Sequence, residues 1–79
     1  DPGREGPPHT TLSDREMQVF VMIAAGKTIS EVAGALSLSV KTVSTHKTRI
    51  MQKLDVSNQS ELIRYALRHS LIDDPAAER

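Results

Sequence analysis

Four stretches of the chain repeat apolar residues at helical spacing, and none alternates apolar with polar residues as a half-buried strand does. In the first, Met17, Phe20, Val21 and Ala24 fall at i, i+3, i+4 and i+7, and Val19, Met22 and Ile23 widen the stripe, which predicts a largely buried helix. Its start is encoded by Ser13 with Glu16 three residues on and the apolar Leu12 just before, the pattern of a capping box. Gly26 ends it, because glycine enters the left-handed C-terminal conformation without a Cβ clash. The second helix opens at Thr28, again with a glutamate (Glu31) three residues later, turns Ile29, Val32, Ala33 and Leu36 inward, and stops near Ser37. Its small residues Ala33, Gly34 and Ala35 predict a closely approaching neighbour. The third runs from Val40 to Leu54 after Ser39 as N-cap, with Val40, Val43, Ile50 and Leu54 on one face and Asp55 closing it. Asn58 and Glu61 open a fourth, from Gln59 to His69. The fold class is all-α, with four helices.

The second and third helices are joined by only Ser37, Leu38 and Ser39. A small residue in the second helix (Ala33), an apolar residue in a three-residue turn (Leu38) and a third helix behind it mark a helix-turn-helix. Such a unit projects its second helix from the body, where it can enter a major groove. With the apolar face of the third helix turned inward, Lys41, Ser44, Thr45, Thr48, Arg49 and Gln52 lie on the outward side, with no acid among them. Ser44, Thr45 and Thr48 are small enough to bring the backbone near base edges, and threonine also offers a methyl to thymine. Lys41, Lys47, Arg49 and Lys53 flank them where phosphate oxygens would lie, the stem of Lys47 also covering core.

Composition sharpens this picture in one respect. The 79 residues carry ten basic and ten acidic side chains, a formal net charge of zero. Yet between Lys27 and Leu54 there are five basic residues and one acid (Glu31), while the remaining acids lie toward the two ends. One basic face on a neutral molecule suffices for local phosphate binding. The absence of cysteine excludes disulfides, thiolate metal sites and cysteine nucleophiles. His9, His46 and His69 are far apart with no carboxylate or cysteine at ligand spacing, so neither a metal nor another cofactor is expected. No serine sits in a nucleophile elbow, and the chain is not expected to be an enzyme. No apolar run approaches a membrane span and no signal peptide is evident; the expected location is the cytoplasm. Residues 1–11, rich in proline and glycine in their first part, read as a flexible linker remnant, 12–72 as the domain, and 73–79 as a frayed tail.

The segments LSDRE (Leu12 to Glu16), AAGKTISEVA (Ala24 to Ala33), LSVKTVSTHKTRIMQKL (Leu38 to Leu54) and VSNQSELIRYALRHSLI (Val56 to Ile72) together resemble the LuxR-type output domain of NarL/FixJ-class response regulators. The resemblance implies a four-helix LuxR-type helix-turn-helix domain that binds promoter DNA sequence-specifically, as the effector part of a bacterial two-component transcriptional regulator. Its third helix enters the major groove, its fourth supports a homodimer on paired half-sites, and a phosphorylated receiver domain upstream controls it. By position, the resemblance places Ser44, Thr45 and Thr48 toward bases and Thr42 and Lys47 on the backbone. The chain departs from the family pattern where Ile29-Ser30 replaces Asn-Lys, with Lys27 as the stand-in phosphate contact. It departs again at Asp14, at Asp55 in place of glycine, and at Ser70.

The fourth helix carries more apolar residues than a small body needs: Leu62, Ile63, Ala66 and Leu67, with Tyr65 just outside. Leu62, Tyr65 and His69 are therefore expected at one edge of a self-complementary twofold contact, against the simpler reading that they cover the core. Two other readings compete with the DNA-binding output domain. A sigma-factor region-four-like unit shares the start of the pattern, but the capped fourth helix after Leu54 argues against it. A helical protein-interaction module acting through the fourth helix would leave Lys41, Lys47 and Arg49 without a role.

Overall fold

The structure, a computed structural model, describes residues 8–72; the expected linker residues 1–7 and the tail 73–79 lie outside the described residues. It contains α1 (Asp14–Ala24), α2 (Ile29–Leu36), α3 (Val40–Leu54) and α4 (Gln59–Arg68), preceded by a 3-10 turn at Pro8–Thr11. The described residues form no strand. α1 packs against each of the other three helices, and α2 packs on α3. α1 is thus the central support that α2, α3 and α4 share.

Local chemistry sets the helix starts. Ser13 Oγ accepts from the Glu16 amide at 3.1 Å while Glu16 Oε1 accepts from the Ser13 amide at 2.9 Å, and Thr28 and Glu31 repeat this at 3.1 and 2.8 Å. The third box is altered: Asn58 Oδ1 accepts from the Glu61 amide, but Glu61 reaches back one residue further, to the Ser57 amide at 2.6 Å. Helix ends are made by left-handed residues: Ser37 after α2 (φ 59°) and Asp55 after α3 (φ 57°), with Gly26 (φ 105°) in the α1–α2 turn. At the α2 end the Leu38 amide reaches the Ala33 carbonyl at 2.9 Å, which closes the turn and fixes the exit direction toward α3.

The core consists of Val19, Phe20, Ile23 and Ala24 from α1, Val32 and Ala33 from α2, Val43, Ile50 and Leu54 from α3, and Leu62, Tyr65 and Ala66 from α4. It differs from the periodic reading at several points. The α1 stripe is rotated: Met17, Val21 and Met22 lie at its half-buried margin, whereas Val19 is fully enclosed. Only Ala33 of the small-residue run in α2 faces a neighbour. Gly34 and Ala35 are exposed, and a Cβ at Gly34 would meet nothing within 4 Å. Val40 is 50% exposed, because it begins α3 one turn before Val43, the first α3 residue that its neighbours enclose.

Leu62 is completely buried and Tyr65 is 8% exposed, so the surface expected of them at the edge of a twofold contact is largely enclosed within one chain. Both are consumed by the core that α4 makes with α1, and the ring of Tyr65 lies edge-on to Phe20, centroids 6.1 Å apart. Residues 8–11 also depart from a linker. The Tyr65 hydroxyl oxygen lies 3.0 Å from the donating His9 amide and 2.9 Å from His9 Nδ1, and the 3-10 turn packs on α3. The order therefore begins at least four residues before Leu12. Burial, with the nearby His69 ring adding to it, holds the His9 imidazole below its usual pKa.

The ion pair of Glu16 with Lys53 ties α1 to α3 at 2.8 Å, with Glu16 only 6% exposed at its side chain. Hydrogen bonding from Lys53, then from the Ser13 amide, holds the Glu16 carboxyl below its ordinary value despite burial. Because the folded pKa lies below the unfolded one, this stabilisation is complete above the ordinary value of 4.5 and is lost as pH falls through the depressed value. Glu16→Gln is expected to cost about 1–2 kcal/mol at pH 7 and almost nothing relative to the wild type in the acid range, measured by urea unfolding at both pH values.

Candidate nucleic-acid interface

α3 is presented by its neighbours along one side only. Val43, Ile50 and Leu54 anchor it to the core, and His46, Lys47 and Met51 are half-buried at the borders. On the opposite side Lys41, Thr45, Thr48, Arg49 and Gln52 are exposed, and Ser44 is half-buried on the flank. The structure therefore brings Thr45 and Thr48 onto the outward part of one helix, with Ser44 on its flank, Lys41 one turn before and Gln52 one turn after. No acidic residue lies within α3.

Three hydroxyls of this helix differ in what they have left to offer. Ser39 Oγ accepts from the Thr42 amide at 3.0 Å and donates to Thr42 Oγ1 at 2.9 Å, which satisfies the helix start and leaves the Thr42 proton pointing elsewhere. Thr45 Oγ1 instead donates to the Lys41 carbonyl, and Thr48 Oγ1 to the Ser44 carbonyl, each at 3.1 Å. Such back-bonding to the i−4 carbonyl is the common way a mid-helix threonine satisfies its proton.

The cations divide as well. Lys41 and Arg49 are exposed, and Lys47 reaches Gln59 Oε1 of α4 at the long distance of 3.5 Å. Lys53 behaves differently: besides Glu16 it donates to the Thr11 carbonyl at 3.3 Å, so its ammonium is turned to α1 and the 3-10 turn. These intramolecular partners compete with the phosphate expected for Lys53. Lys27 is exposed in the α1–α2 turn. His46 is half-buried with Nδ1 enclosed and lacking a hydrogen-bond partner, so the ring serves packing through that side.

Sequence periodicity missed two features here. Val40 is grouped with the core by its spacing, yet it lies on the open first turn of α3 as an exposed valine. The signal was available in its position, the residue directly after the Ser39 cap, where a projecting helix has no neighbour. Glu16 is legible as a capping residue but not as the partner of Lys53, which lies 37 residues away.

The arrangement is a projecting basic helix with a hydroxyl- and methyl-bearing centre, held from behind by an apolar seam. Among the described residues no helix is long and apolar enough to cross a membrane. The profile of the family described as "Bacterial regulatory proteins, luxR family" matches residues 10–66, which takes in α1, α2, α3 and most of α4. The oxygen regulatory protein NreC of Staphylococcus carnosus (strain TM300) is 47% identical over 66 residues, covering 84% of this chain and 30% of that protein. The transcriptional regulatory protein LiaR of Bacillus subtilis (strain 168) is 41% identical over 71 residues, covering 90% of this chain and 34% of that protein. The chain thus spans about a third of the length of these relatives.

Proposed function

Because this chain belongs to the luxR family of bacterial regulatory proteins, we propose that it is the DNA-binding output domain of a two-component transcriptional regulator, with α3 lying in the major groove. The observation that carries this reading is the geometry of α3: one apolar seam holds it to the body, and its outward side is exposed, acid-free and basic at the borders. Ser44, Thr45 and Thr48 face base edges, while Lys41, Thr42, Lys47 and Arg49 hold the phosphates on either side. Thr42 suits a phosphate because its hydroxyl proton is not taken up by a helix carbonyl. Lys53 is left out of this set, since Glu16 and Thr11 hold it.

The domain acts by binding and carries out no catalysis, in the cytoplasm, where promoter DNA is found. NreC and LiaR are both regulatory proteins about three times as long as the matched region, a length that accommodates the receiver domain proposed elsewhere in the full-length protein. Two copies bind paired half-sites. The apolar edge of α4 available for their contact is Ile63 with Leu67, both half-buried, and His69 lies beside the core at the end of the helix.

A two-dimensional NMR titration with a generic duplex, at low and near-physiological salt, tests the reading. Shifts concentrated between Lys41 and Lys53 that fade as salt rises are the expected outcome. Shifts confined to α4, with α3 silent, would instead favour a protein-interaction module.

A further inference from the structure

Resting on the groove-facing role of α3, we infer that Thr45 and Thr48 make its centre a reader of thymine methyls beside exocyclic amino groups, so that the base pairs under them are A·T. A threonine hydroxyl has one proton, and in both residues that proton is committed to the i−4 carbonyl, of Lys41 and Ser44 respectively. What each exposed side chain retains is a pair of oxygen lone pairs and a methyl group. An acceptor oxygen finds a partner in the amino group of adenine or cytosine and none in the O6 and N7 of guanine. A methyl finds its apolar partner in the C5 methyl of thymine. An A·T pair presents both groups on one groove edge, and a G·C pair presents an amino group without the methyl.

The contrast with Thr42 shows that this polarity is local. The Thr42 oxygen accepts from Ser39, so its proton remains for a phosphate oxygen. Thr42 on the one hand, and Thr45 with Thr48 on the other, are therefore set for different atoms by their hydrogen bonds alone. Gln52, whose amide can donate to guanine, lies one turn beyond the two-threonine patch.

The test begins with sequences bound by the 79-residue chain from a random duplex library, then replaces single thymines by uracil, which removes only the C5 methyl. Affinity is followed by fluorescence anisotropy. Replacement at the thymines facing Thr45 and Thr48 is expected to weaken binding about fourfold each, the value of one buried methyl-sized group. Thr45→Ser and Thr48→Ser each delete the protein methyl and keep the hydroxyl, so each should abolish the sensitivity at its own thymine. Thr48→Val keeps a methyl and deletes the acceptor, so it should keep sensitivity to uracil while relaxing the preference for an amino-bearing base. Binding that is insensitive to uracil at every position, or sensitivity that survives unchanged in both serine variants, overturns the inference while the DNA-binding role stands. No affinity for any duplex at low salt overturns the role itself and this inference with it.

Discussion

Reversing three charges at once, Lys41→Glu, Lys47→Glu and Arg49→Glu, is expected to weaken binding to every duplex by on the order of a hundredfold or more at near-physiological salt. The three side chains border the outward side of α3, and none has an intramolecular ion-pair partner among the described residues. Each phosphate contact contributes about one unit to the dependence of log K on log salt, so the slope should flatten by about three units per protomer. The loss should be nearly the same for specific and unrelated sequences, because these contacts are made to the backbone. Arg15→Glu is the control. Arg15 is exposed on α1, bonded among the described residues only to Gln18 at 3.2 Å, and should leave both affinity and slope unchanged. An unchanged slope in the triple variant would remove α3 from the interface.

The second large effect concerns α4. Leu62→Glu is expected to unfold the chain. Leu62 has no exposed surface and contributes one of the largest enclosed side chains of the core. Removing it forfeits about 2–5 kcal/mol, and burying a carboxylate in its place adds to that cost. A domain of this size has a total stability of roughly 4–10 kcal/mol. Circular dichroism should show loss of helix at 25 °C, and the NMR amide dispersion should collapse. Leu67→Glu, at the half-buried margin, should keep the fold and reduce only the cooperative binding of two half-sites. If Leu62→Glu instead folded normally and lost only that cooperativity, the placement of Leu62 in the core would be wrong.

These two experiments separate residues that share a helix and a chemical character but differ in what stands next to them. Lys47 and Lys53 look equivalent in the sequence, two cations six residues apart on one helix. Tertiary packing gives Lys53 a buried carboxylate at 2.8 Å and leaves Lys47, among the described residues, with only a long contact to Gln59. Leu62 and Leu67 likewise read as one apolar band, and the approach of α1 encloses the first and leaves the second at the edge.

The helices, their starts and the connector are written in local residue chemistry. Capping chemistry acts over three or four residues, so Ser13 with Glu16, Thr28 with Glu31 and Ser39 before Val40 suffice to place the ends of α1, α2 and α3. The same local range makes the basic, acid-free character of α3 readable, and with it the family resemblance. Which part of each apolar band is enclosed is set by packing, because it depends on the direction from which another helix approaches. Packing turned Val40 outward, drew Tyr65 and Leu62 inward, and joined Glu16 to Lys53 and His9 to Tyr65 across 37 and 56 residues of chain. Periodicity along one helix contains no information about a partner that distant, whereas a cap or a three-residue turn is complete within its own few residues.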